Sequence, residues 1–359
     1  MMHAMKEITQ RSVRYNEYIE HYITIPRGVL NREVLERVLQ KLEEDGVQVL
    51  RADFFCGAES ETVTIYEDFR KRIPALFLSD SSAHDETAGV CIYAVQPIGG
   101  KEVLYSVKDD VLLGACFSTD DRTILVRSGM YNETIQTNFE QETREEYAMA
   151  SNLLEEYSLE PHHIYRYWNY MSDIVRYYQP FNTVRNEYYD SHKIIDYPAA
   201  TGIEARLPNA KNIFVGFEAI TGDDVSVRTV SSDMQSDAWT YGPRFSRAVV
   251  LDFTKDDVKK MYISGTSTID QHGASILRDE PEKNVAYVLA SVEHLLEKEQ
   301  LTTNNVVSAY VYVVDDAVCN IFEMLYSAKG YTFPYLILRT PICRNDLLFE
   351  MECVAISNN

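Results

Sequence analysis

The feature that most restricts how this chain folds is an element order that occurs twice. The first copy reads as strand 111–117, an Asp120-Asp121 turn, strand 123–129 and a helix over about 138–157. Strand 163–170, a helix containing Phe181 to Tyr189, and closing strands 196–204 and 212–220 complete it. The second copy has strand 248–253, an Asp256-Asp257 turn, strand 260–267 and a helix over 281–298. Strand 306–314, a helix containing Cys319 to Tyr326, and closing stretches 332–338 and 335–356 follow. Pro198 answers to Pro334, and Asn182 to Asn320. Such a shared order implies duplication. The order ββαβαββ predicts an α+β fold in which each copy is a mixed sheet with two helices on one face. Two such copies cover each other's bare sheet faces, and the junction is a favoured place for a ligand.

At 359 residues the chain divides into two halves, 1–225 and 226–359. The first half holds an extension, 1–95, before the first copy. Strands are expected there at 19–25, 48–56, 75–78 and 89–95. A helix over 31–45 is expected to end at Gly46, and 80–87 reads as a polar loop with a solvated His84. The extension carries no recognisable chemical motif.

Charge narrows the partners. Lys+Arg 34 against Asp+Glu 55 gives −21, which disfavours nucleic acid and anionic membranes. An anionic small molecule would need arginines gathered in one pocket against that field. The six cysteines form no C-x-x-C pair, a pattern of reduced thiols rather than a disulfide frame or a zinc site. No metal site, cofactor motif, phosphate loop or Ser/His/Asp set is evident. His162-His163 lies on an expected strand with its rings on opposite faces, a poor metal site. Residues 1–7 lack an apolar signal core and no run is long enough to span a membrane, so a soluble, cytoplasmic protein is expected.

The closing run, 335–356, reads as two apolar stretches around a polar turn at 343–346, a hairpin or a tight strand connection. In its second stretch Glu350 and Glu352 alternate with Phe349, Met351 and Cys353. Strand side chains alternate faces, so both acids share one face and the apolar residues the other.

Residues 261–273, Arg278-Asp-Glu-Pro281 and the helix at 285–296 resemble the Rid (YjgF-like) fold. Within that superfamily the chain looks like the chorismatases. The resemblance lies in Arg166-Tyr-Trp-Asn-Tyr170, Phe181-Asn182 with Arg185, Tyr241-Gly-Pro-Arg-Phe-Ser-Arg-Ala248, Ile263-Ser-Gly-Thr266 and 342–352. It implies two Rid-like units in one chain, with a site at their junction. It further implies cleavage of the enol ether of chorismate to pyruvate and a ring product. Enol ethers are hydrolysed by protonating the methylene carbon, which needs an acid that stays protonated near neutral pH. The resemblance assigns that role to Glu350, with Glu352 supporting it. It places Cys343 at the position that separates subtypes, here the one forming 3-hydroxybenzoate rather than a dihydroxycyclohexadiene carboxylate.

Substrate carboxylates call for arginine forks. The matched motifs offer Arg166, Arg185, Arg244 and Arg247, with Tyr241 as a hydroxyl donor. Ser267 stands where the family carries Gly or Ala, adding a hydroxyl to the pocket wall. Arg344 would point away from Cys343 if the run is extended. Two alternatives remain. One is a Rid-type imine or enamine deaminase, disfavoured because Tyr335 stands where its arginine follows Phe333-Pro334. The other is a non-catalytic small-molecule-binding protein, disfavoured by Glu350. A monomer is expected, with a homotrimer as the other possibility.

Overall fold

The computed structural model describes residues 7–56, 61–79, 89–130 and 138–357. Three mixed sheets organise it, and all three share one connection order. The first unit comprises β1 (Thr9–Arg14), β2 (Tyr18–Ile25), α1 (Arg32–Glu44), β3 (Gln48–Cys56), α2 (Glu61–Phe69), β4 (Ala75–Ser79) and β5 (Gly89–Pro97). The second comprises β6 (Val103–Lys108), β7 (Val111–Ser118), β8 (Arg122–Arg127), α3 (Phe139–Glu156), β9 (Ile164–Met171), α4 (Ile174–Ser191), β10 (Ala199–Glu204) and β11 (Ile213–Gly222). The third comprises β12 (Val225–Val230), β13 (Ala248–Phe253), β14 (Val258–Ser267), α5 (Pro281–Lys298), β15 (Val306–Val313), α6 (Asp316–Ala328), β16 (Leu336–Arg339) and β17 (Phe349–Ile356).

In each unit the last strand is inserted between earlier ones, giving β1-β2-β5-β3-β4, β6-β7-β8-β11-β9-β10 and β12-β13-β14-β17-β15-β16. The parallel pairs β3/β4, β9/β10 and β15/β16 each need a crossover, which α2, α4 and α6 supply. The two copies expected from sequence are the second and third units. The first ninety-odd residues, expected only as an extension, form a sheet with the same order. The polar loop expected at 80–87, with His84, lies outside the described residues.

The helices form where apolar spacing and caps agree. In α1, Leu35, Leu39 and Leu42 line the buried face, Asn31 accepts from the Val34 amide, and Gly46 follows with φ +71°. Each helix pair covers one face of its own sheet. The other three faces meet in a single central core that includes Tyr22, Phe55, Phe117, Trp168, Tyr262 and Tyr312. Strands covered on both sides are buried along nearly their whole length, as β3, β9 and β15 are.

The central core also holds ion pairs that tie the units together. Arg51 of the first unit reaches Asp53 at 2.8 Å, Glu218 of the second at 3.0 Å and the Tyr310 hydroxyl of the third at 3.2 Å. Lys260 of the third unit pairs with Glu20 of the first at 3.1 Å.

Two local expectations change. The closing run is not a hairpin: β16 pairs with β15 in parallel, while β17 lies between β14 and β15. Residues 340–348 are therefore a loop crossing the sheet end, because β15 lies between β16 and β17 and the chain must pass over it. His162 and His163 sit in a 3-10 turn rather than on a strand. Among the described residues no helix is long and apolar enough to cross a membrane, and no cluster of potential metal ligands forms.

Candidate active site

β17 sorts its side chains as alternation requires. Phe349, Met351 and Cys353 join the core under α5 and α6, and Glu350 and Glu352 take the opposite face. Their surroundings differ. Glu352 accepts from Arg166 Nη2 at 2.5 Å, from Trp168 Nε1 at 2.7 Å and from the Thr201 hydroxyl. Glu350 is buried, 5% exposed, and has no hydrogen-bond partner among the described residues. Burial, then the neighbouring Glu352 charge, pushes its carboxyl up to about 8, while Arg247 and Arg166 pull more weakly the other way. Burial and the Glu352 charge both favour the protonated form near neutral pH. Space for its carboxyl comes from Gly265 on the neighbouring β14, beside a register shift between Ile263 and Thr266. A Cβ on Gly265 would overlap Glu350 Oε1.

Glu350 opens into a cavity at the junction of the second and third units. The walls come from β9, α4 and β10 on one side. The segment before β13, β14 and the 340–348 loop form the other. Six of the eight residues expected from sequence line it: Glu350, Cys343, Arg185, Tyr241, Arg247 and Ser267. Arg166 and Arg244 do not. Arg166 is buried against Glu352 and lies over the Trp168 ring at 4.5 Å. Arg244 pairs with Asp190 at 2.5 Å, away from the cavity.

The lining arginines are held by neutral groups. Arg185 donates from Nη2 to Asn182 Oδ1 at 2.6 Å, and its Nε is buried without a partner among the described residues. Arg247 donates from Nε and Nη2 to the Ser236 carbonyl at 2.9 and 2.7 Å, and from Nη2 to the Tyr241 hydroxyl at 2.8 Å. Arg344, which an extended chain would have turned away, lines the cavity because 340–348 is a loop. Its Nη1 donates to the Gly273 carbonyl at 2.7 Å. Among the described residues none of the three pairs with a carboxylate. Burying cations without a counter-charge is costly, so this arrangement suits an anionic ligand.

Cys343 is half-buried in the wall. Burial pushes its thiol up to about 12, helped by Glu350 and opposed by Arg344 and Arg247. It is therefore a neutral wall group, unsuited to act as a thiolate nucleophile. The Ser267 hydroxyl donates to the Phe349 carbonyl at 2.7 Å, which commits its proton to the backbone. Sequence reasoning also missed Asn169, Tyr178 and Gly265 as lining residues. Asn169 sits inside the Arg-Tyr-Trp-Asn-Tyr motif and could have been found from it. Tyr178 and Arg344 had no local signal.

No family model and no curated protein sequence matches the chain. Among solved structures, it is similar to a chorismatase at 19% identity, over 95% of this chain and 100% of that one, with a TM-score of 0.69. A Rid-family protein of unknown function from Yersinia pestis is 19% identical over 36% of this chain and 98% of its own, with a TM-score of 0.31. Yeast Mmf1 is 16% identical over 37% and 100%, with a TM-score of 0.30. At this identity the likeness to the chorismatase shows the architecture alone: the chain has a chorismatase-like α+β fold.

Proposed function

We propose that this chain is a chorismatase that cleaves the enolpyruvyl ether of chorismate to pyruvate and 3-hydroxybenzoate. The observation that carries the reading is a buried Glu350, its carboxyl pushed up to about 8, in one cavity with arginines that have no carboxylate partner among the described residues. Two substrate carboxylates would satisfy Arg185 and Arg247, with Arg344 at the wall. Glu350 would give its proton to the methylene carbon, making a carboxylated oxocarbenium ion. Breaking the bond between the ring and the ether oxygen then frees pyruvate and leaves an electron-poor ring carbon. Capture by the ring's own hydroxyl, followed by proton loss, gives 3-hydroxybenzoate with no net water consumed. Attack by water gives the dihydroxycyclohexadiene carboxylate instead.

A neutral Cys343 thiol favours the first outcome by filling the wall without supplying a base for water. The junction that makes the cavity lies within one chain, so a monomer suffices for this chemistry. Purified protein is mixed with chorismate, and pyruvate is measured alongside chromatography of the ring product. Absence of pyruvate rejects the reading; pyruvate with a diene diol rejects only the product assignment.

A further inference from the structure

Asn169 lies on β9, is 1% exposed, and lines the same cavity as Glu350 and Arg185. Its Nδ2 donates to the Thr201 carbonyl at 3.1 Å. Only the amide nitrogen can face a carbonyl, so this bond fixes which way the side chain is turned. The other atom, Oδ1, is buried with no hydrogen-bond partner among the described residues. Buried polar atoms are nearly always paired, and an unpaired one is costly. Arg185 Nε is a second unpaired atom of the same wall, but a donor. The two therefore ask for opposite partners. A carboxylate satisfies the arginine and is repelled by Oδ1, which can be met only by a group that donates a proton.

We propose that Asn169 is a specificity-determining residue that accepts a hydrogen bond from a substrate hydroxyl. The cavity then selects dicarboxylates that carry such a donor. This rests on the reading above, in which the substrate is chorismate, whose ring hydroxyl neighbours the ether carbon. Sites built to bond a hydroxyl reject the analogue lacking it far more strongly than apolar pockets reject a missing methylene.

The test uses calorimetric binding to the Glu350→Gln protein, with chorismate and 4-deoxychorismate as the probes. Pyruvate release by the parent protein is measured separately. The expected result is a preference of at least ~100-fold for the hydroxylated compound. Asn169→Leu in the same background should reduce that preference to under ~10-fold, mainly by weakening chorismate. Equal binding of the two compounds overturns the assignment without any need for the variant, since a water would then be serving Oδ1. An unchanged preference in Asn169→Leu overturns it as well. Binding of neither compound overturns both this assignment and the chorismate reading. A preserved preference in a protein whose parent releases no pyruvate removes the reaction and supports the role of Asn169.

Discussion

Glu350 does its proposed work only while it holds a proton, and its surroundings set the pH at which that proton is lost. With the carboxyl pushed up to about 8, turnover should be flat around neutrality and fall as pH rises through that value. A rate profile that falls through pH 4 to 5 instead would return Glu350 to an ordinary carboxylate. Glu350→Gln is nearly isosteric and cannot protonate carbon, so it should lose about 10²–10⁴ in turnover while still binding chorismate. The same shift has a stability consequence. The folded state disfavours ionised Glu350, so its contribution is most favourable below the unfolded carboxyl value. That contribution is progressively lost as pH rises toward 8, at about 1.4 kcal/mol per unit of difference. Glu350→Gln should therefore melt higher than the parent at pH 9, and a lower melting point there would contradict the burial argument. Cys343→Ala should change the ratio of ring products more than the rate of pyruvate release. An unchanged ratio would leave Cys343 as packing alone.

At the level of elements, the site depends on β14 and β17 lying side by side with a glycine between them. Gly265→Ala places a methyl where the Glu350 carboxyl stands, so the acid must turn away or the strands must part. Overpacking of this kind costs about 1–3 kcal/mol. Turnover should drop at least ~100-fold, as expected when a general acid is displaced. A variant with parental kinetics would show that the carboxyl has another resting place. The alternation that sorts Glu350 from Met351 was legible in the sequence, because period-two burial is a local property of a strand. The path of 340–348 was not. It depends on β17 entering between β14 and β15, and that path brings Arg344 to the cavity.

Across the whole molecule, three sheets turn their bare faces to one centre, and charged side chains bridge them there. Arg51 holds Asp53, Glu218 and Tyr310, one from each unit, and its guanidinium lies 3.6 Å from the Trp168 ring centroid. Arg51→Ala leaves two carboxyls buried without their cation, and about 3–5 kcal/mol of stability should go with it. Denaturant unfolding measures this directly, and a loss below ~1 kcal/mol would mean that the ion pairs do not clasp the units.

The sequence by itself determined the shared element order of the second and third units from β7 and β13 onward, the end of α1 at Gly46, the faces of β17 and the pairing of an acid with arginines. All of these follow from short-range rules of periodicity, capping and residue chemistry. Tertiary structure decided that the first unit is a third sheet, because a sheet face must be covered and only the assembled chain shows by what. It also decided which arginines remain available to a ligand. Arg166 is neutralised by Glu352, 186 positions away, while Arg185, Arg247 and Arg344 meet no carboxylate among the described residues. Whether a buried charge is already paired depends on contacts between distant segments, and local sequence carries no record of them.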